Sequence, residues 1–131
     1  MLAVTAPRYA LGMIPVTMRR LLFWGAVLFA FVMAVLPHPP ELPGEPSDKI
    51  QHIAAFATLG LLGAWAYART PLLYLLAGLS VFGAVIEIVQ AIPSLHRDSD
   101  VLDWIADTFA CGLVLAIAAW RRRAVRERGS A

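Results

Sequence analysis

Long apolar runs alternate with short polar interruptions along this chain, and the pattern predicts four helices. Leu21–Leu36 carries no charge and follows Arg19 and Arg20; begun near Met18, it reaches the ~17–25 residues that cross a bilayer. Pro37–Lys49 reads P-H-P-P-E-L-P-G-E-P-S-D-K, and prolines in that number preclude a helix. The loop ends in Ser47 and Asp48, residue types that cap helices, and a second apolar run follows. Arg69, Thr70 and Pro71 then make a connection so short that the second and third helices are expected to be antiparallel neighbours. Leu72–Ile92 is stopped by Pro93, and Ser94–Asp100 forms a polar loop before the last run. The expected spans are residues 18–36, 50–68, 72–92 and 101–120. A cytoplasmic lead-in at residues 1–17, poorly ordered and containing Pro7 and Pro15, is expected before them, and a basic tail at 121–131 after them. A cleaved signal peptide is the rival reading of the first run; bulky Trp24 and its phenylalanines, with no clear A-x-A site, favour a retained helix.

Composition supports the bilayer reading. The chain is 60% hydrophobic and 15% charged, with a mean hydropathy of +0.69, whereas soluble domains average about 45–50% apolar residues. Its 131 residues suit one domain. The net charge is only +2, but Arg121, Arg122, Arg123, Arg126 and Arg128 crowd the C-terminus. Such a run beside an apolar span reads as a cytoplasmic flank under the positive-inside rule, not as a nucleic-acid contact. The N-terminal flank, the Arg69 turn and the tail would share the cytoplasmic side, and the two longer loops would face outward. The expectation is an all-α integral membrane four-helix bundle with both termini cytoplasmic and the lipid bilayer as its solvent. The single cysteine, Cys111, has no partner for an intramolecular disulfide and no metal-site spacing.

The candidate chemistry lies at the outward helix ends. Ionisable groups within a membrane-length helix are costly, by ~2.5–3.5 kcal/mol each on insertion scales, and so face the bundle interior and mark function. His52, Glu87, Gln90, Asp103 and Asp107 all fall within a few residues of an outward end, Glu87 and Asp107 roughly 9 Å deep by the helical rise. Asp48 and His52 are i,i+4; Glu87 and Gln90 are i,i+3; Asp100, Asp103 and Asp107 continue one stripe. Small residues such as Gly60, Gly63, Ser80 and Gly83 extend these stripes, as membrane helix interfaces do. Asp48 and Asp100 also serve as N-caps, and Asp103 lies where a carboxylate favours the helix dipole. Asp107 and Glu87 have no such structural account. Arg97 either neutralises the nearby acids or clamps an anionic headgroup. His38 and His96 are expected to be solvated loop residues.

Three motifs carry a resemblance: D-K-x-x-H-x-x-x-F-x-x-L-G at Asp48–Gly60, E-x-x-Q at Glu87–Gln90 and R-x-x-D-x-x-D at Arg97–Asp103. In that order and spacing the chain resembles the VanZ-like family of small bacterial membrane proteins over about residues 48 to 115. It departs from the family at Asp107, where Asn is usual, and at Ala110, where Gly is common. The resemblance implies an envelope protein of the bacterial inner (cytoplasmic) membrane, with a namesake linked to low-level teicoplanin resistance. The functional expectation is a polar site near the outer face that binds or acts on a lipid-linked envelope precursor or a glycopeptide. Gln90, Arg97, Asp48 and Asp100 would contact the substrate, and His52, Glu87, Asp103 and Asp107 would do any chemistry. In the strong form those four would ligate a divalent metal ion with an open position for water. The alternatives are a non-catalytic binding or shielding protein and, lower in rank, a proton-coupled transporter. Phosphate-loop, paired-cysteine and nucleophile-elbow motifs do not occur.

Overall fold

The computed structural model describes residues 14–130. Four α-helices account for most of them: α1 at Val16–Val35, α2 at Asp48–Ala66, α3 at Leu72–Gln90 and α4 at Val101–Gly129. A 3-10 turn at Pro93–Leu95 lies between α3 and α4, and there is no strand among the described residues. Most of the lead-in expected at residues 1–17 lies outside the described residues, and Val16 and Thr17 already belong to α1.

The boundaries follow local chemistry. Ser47, not Asp48, caps α2: its hydroxyl accepts from the Ile50 amide, which leaves Asp48 inside the first turn. Asp100 caps α4 by accepting from the Leu102 amide at 2.9 Å. Pro71 precedes the first residue of α3, where its missing N–H costs no helical bond. α4 runs 29 residues and so continues past the expected span into the basic stretch, as far as Gly129. Nothing in A-W-R-R-R-A-V-R-E-R breaks a helix; arginine and alanine are good helix formers, and Gly129 is where it ends.

The helices run alternately up and down, so the starts of α2 and α4 share one end of the bundle with the ends of α1 and α3. The fold turns on α2, which packs against the other three helices and shares its most extensive interface with α4. Small residues allow the close approach. A Cβ on Gly60 would lie 3.4 Å from Cys111 Sγ; one on Gly83 would lie 3.2 Å from Trp104 Cδ1 and 3.3 Å from Phe56 Cζ. The buried apolar side chains, Phe23, Phe56, Leu59, Leu79, Ile86, Cys111 and Leu115 among them, form one cluster along the axis.

The outside is as apolar as the inside. Leu28, Phe29, Leu73, Tyr74, Ile88, Phe109 and Leu113 are all more than half exposed, while His52, Glu87, Gln90 and Asp107 are buried. Three helices, α1, α3 and α4, are long and apolar enough to cross a membrane. The fourth expected span, α2, is not one of these: Asp48, Lys49, Gln51 and His52 crowd its first turns. It is also the helix with the most buried residues, although Ile50, Ile53 and Leu61 leave part of one face exposed.

Two glycines on α3 separate packing from propensity. Gly83→Leu is expected to lower the unfolding free energy of the detergent-solubilised protein by about 1–3 kcal/mol through overpacking against Trp104 and Phe56. Gly78→Ala, whose Cβ meets nothing within 4 Å, is expected to be neutral or slightly stabilising in the same thermal unfolding experiment.

Candidate functional site

The first turns of α2 and α4, the last turn of α3 and the loop that follows α3 build a polar layer at one end of the bundle. Its centre is a contact across the α2–α4 interface, where His52 Nδ1 lies 3.1 Å from Asp107 Oδ2. Asp107 is 1% exposed and His52 7%, so neither group has water as an alternative partner. A carboxylate oxygen accepts, which makes Nδ1 the donor and leaves Nε2 as the free corner of the ring. His52 Nε2, Asp107 Oδ1 and Glu87 Oε1 are buried and have no hydrogen-bond partner among the described residues.

Around this contact the other expected residues separate by partner. Glu87 Oε2 accepts from the Asp100 amide at 2.8 Å, and Ser99 Oγ lies within hydrogen-bonding distance of both Oε2 and the Glu87 carbonyl oxygen. Glu87 thereby fastens the loop after α3 onto the end of that helix. Arg97 places Nη2 3.0 Å from each carboxylate oxygen of Asp48, so its charge is matched within the protein. Asp103 pairs with Lys49 Nζ at 2.6 Å, and Asp100 lies 3.8 Å from the same ammonium. Gln90 is 1% exposed and spends its amide on the carbonyl of Ala34 at 2.9 Å, which joins α3 to the end of α1.

The expected metal ligands do not converge. Among the described residues no group of three or more His, Cys, Asp or Glu side chains could hold a metal ion. Of the four proposed ligands, His52 and Asp107 engage each other, Glu87 is turned to the loop and Asp103 to Lys49. The donor set does not fit a divalent cation, and no metal-dependent step is derived from it. Nor is Arg97 a free anion clamp, since Asp48 occupies it.

Sequence reasoning missed several participants. Lys49 lies among acids, and its place opposite the stripe of Asp100 and Asp103 was the available signal. Ser99 had no signal beyond its neighbours. One turn deeper, Trp104 Nε1 donates to the Ser80 carbonyl at 2.9 Å, and Ser80 and Thr108 hydroxyls meet at 3.0 Å. At the opposite end Arg122, grouped above with the basic flank, reaches back to the carbonyls of Ala64 at 2.8 Å and Thr70 at 3.3 Å. It neutralises acceptors left free at the end of α2.

A groove of about 440 Å³ opens beside the polar layer, between α1 and α2 and under the proline-rich loop. Phe29, Ala30, Met33, Ala55 and Leu59 line its length, and Asp48, His52 and Arg97 stand at one end.

The fold and site thus define a four-helix bundle with an apolar perimeter and a buried polar layer at one end. No family model matches the chain, no curated protein matches it, and no solved structure matches it.

The central contact is testable by exchange. Asp107→Leu, which leaves a buried imidazole without its acceptor, is expected to cost on the order of 3 kcal/mol; Asp107→Asn keeps an acceptor and is expected to cost about 1 kcal/mol or less. Adding His52→Leu to Asp107→Leu should recover part of the loss, and a double-mutant cycle on the solubilised protein reads the coupling. A second expectation concerns pH. The Asp103 hydrogen bond raises the Lys49 pKa above its ordinary 10.5, against some opposing desolvation. A cation with a raised folded pKa stabilises fully below its unfolded value and loses that contribution as pH rises through the folded value. Alkaline titration past about pH 10.5 should therefore weaken the wild type more than Lys49→Gln, measured as the thermal midpoint.

Proposed function

We propose that this chain is a VanZ-like integral membrane protein, with both termini cytoplasmic, whose outward polar layer binds the polar head of a lipid-linked envelope component. One observation carries the reading: three buried polar atoms, His52 Nε2, Glu87 Oε1 and Asp107 Oδ1, lack partners within a single layer of the bundle. A polar atom buried without a partner costs about 1–3 kcal/mol. Gln90, Trp104 and Arg122 show that this bundle can satisfy buried groups elsewhere. Atoms left unsatisfied together are readily understood as ligand contacts.

The membrane half of the proposal rests on solvent chemistry. Three helices are apolar enough to cross, and large hydrophobic side chains cover the perimeter. Exposed apolar area on that scale is stable in hydrocarbon and a liability in water. The arginines gather at the end of α4 away from the polar layer, which supports a cytoplasmic assignment for that end and an outward one for the site. The order of the motifs at Asp48–Gly60, Glu87–Gln90 and Arg97–Asp103 supports the VanZ-like assignment and an inner-membrane location. Binding is favoured over metal-assisted hydrolysis because the acids are divided among separate partners.

Teicoplanin susceptibility of a sensitive host is the direct assay, with wild type, Glu87→Gln and an empty vector compared at matched membrane levels. Wild type is expected to protect several-fold. Glu87→Gln keeps the loop hydrogen bonds but changes the free oxygen facing the layer, and it is expected to lose that protection. Absence of the wild-type protein from the membrane fraction, or equal protection by Glu87→Gln, would overturn the proposal.

A further inference from the structure

The groove between α1 and α2 is apolar along its length and polar at one end, and His52, whose Nε2 is buried without a partner, is among the residues that line the polar end. We infer that it holds the hydrocarbon chain of a neutral, hydroxyl-headed lipid, with the head hydroxyl against His52 Nε2. This inference rests on the binding function proposed above and names the class of ligand.

Shape and lining select a chain. A volume of about 440 Å³ lies within the ≈300–1,000 Å³ of small-molecule sites and is too small for a folded partner. Ala26, Ala30, Ala54 and Ala55 put little side-chain volume into the space between the two helices, while Phe29, Met33, Phe56 and Leu59 offer apolar contact. Pro39, Leu42 and Pro46 of the proline-rich loop cover the same end as His52. An apolar trough with polar side chains and a loop at one end matches a single amphiphile entering from hydrocarbon.

Charge selects the head. The cations of the layer, Lys49 and Arg97, already face Asp103 and Asp48, and His52 faces Asp107. Glu87 and Asp100 add further carboxylates from α3 and the start of α4. A phosphate or carboxylate head would enter an acidic layer with no unmatched cation to receive it. A neutral head avoids that repulsion. A hydroxyl has a further advantage: it can donate to Nε2 when the ring is neutral and accept from it when the ring is protonated. His52 is more than nine-tenths buried, so such a contact would be made out of reach of bulk water.

The test uses the full chain in detergent micelles and two probes of equal chain length, a photoreactive monoacylglycerol and a photoreactive lysophosphatidic acid. The monoacylglycerol is expected to bind saturably, to crosslink peptides from α1 and α2, and to bind about tenfold more tightly than the phosphate. Ala55→Trp, which fills the groove about one turn below His52, should abolish saturable crosslinking. His52→Leu, which keeps the chain contacts, should weaken the monoacylglycerol about tenfold and leave the phosphate nearly unchanged. Thermal midpoints of both variants guard against misfolding; if Ala55→Trp does not fold, Ala30→Phe fills the groove from the facing helix. Non-saturable labelling, labelling unaffected by the groove-filling variant, or preference for the phosphate would overturn the inference. Teicoplanin protection that survives Ala55→Trp but not Glu87→Gln would sink the groove alone and leave the proposed function standing.

Discussion

Asp107 sits at 1% exposure two turns into α4, and the bundle must supply a donor for it from another element. That donor is His52, one turn into α2. The contact requires the starts of α2 and α4 to lie at the same level, which makes the two helices parallel and obliges α3 to run back between them. The sequence around each follows from that arrangement. Gly60 lets the backbone of α2 approach Cys111, and Gly83 makes room on α3 for Trp104 and Phe56. The same constraint accounts for α2 having the most buried residues and lacking a span apolar enough to cross a membrane: its polar first turns serve the layer, and Phe56, Leu59, Gly60, Gly63 and Ala66 below them are buried.

The two ends of the bundle are finished differently. At the polar end the ion pairs Lys49–Asp103 and Arg97–Asp48 are each half-exposed on one side, so their energetic worth is modest; surface pairs contribute about 0–1 kcal/mol. Their effect is geometric: they fix the α2–α4 spacing and the loop after α3 around the buried histidine. At the other end Arg122 binds carbonyls where α2 stops, while Arg19 and Arg20 lie over the rings of Trp65 and Tyr67 at 5.4 and 5.0 Å. Cationic side chains near the last turn of α2 oppose its negative dipole end and cover its aromatic surface. Asp48 in the first turn of α2 and Asp103 in that of α4 do the complementary job at the positive ends.

Much of this was written in the chain. Four apolar runs bounded by proline clusters and short polar turns gave four helices, with every boundary but the end of α4 within a few residues, since prolines at 37, 39, 40, 71 and 93 permit few alternatives. The buried status of His52, Glu87, Gln90 and Asp107 was also legible, because small residues continued their stripes. What periodicity could not convey was partner choice. Asp48 and Asp103 lie on the expected faces, yet each is claimed by a cation from another segment, and a stripe of acids read alone looks like a ligand set. The length of α4 was missed for a different reason: Arg121–Arg128 marks a solvent boundary, and a helix does not have to end where hydrophobicity does. Arg122 shows the consequence, a side chain counted as a topological signal that is also a helix cap.

Satisfied and unsatisfied polar groups in the same layer distinguish structure from function here. Gln90 is as buried as Asp107, and its amide donates to a backbone carbonyl that the end of α1 would otherwise leave open. Glu87 Oε2 accepts a backbone amide and sits beside the Ser99 hydroxyl. Those contacts account for stability and need no ligand. The second oxygen of Glu87, the second oxygen of Asp107 and the outer nitrogen of His52 contribute nothing to stability and burden it, since each has given up water without replacement. A sequence selected for stability alone could remove the Asp107–His52 pair in favour of apolar residues, which is often neutral or stabilising when both partners are replaced. Of the three atoms, His52 Nε2 belongs to a residue that also lines the groove, and there the loss of solvent can be offset by another molecule. The cost of the layer and the position of the groove therefore meet at one residue, His52, which is buried against Asp107 and also lines the groove.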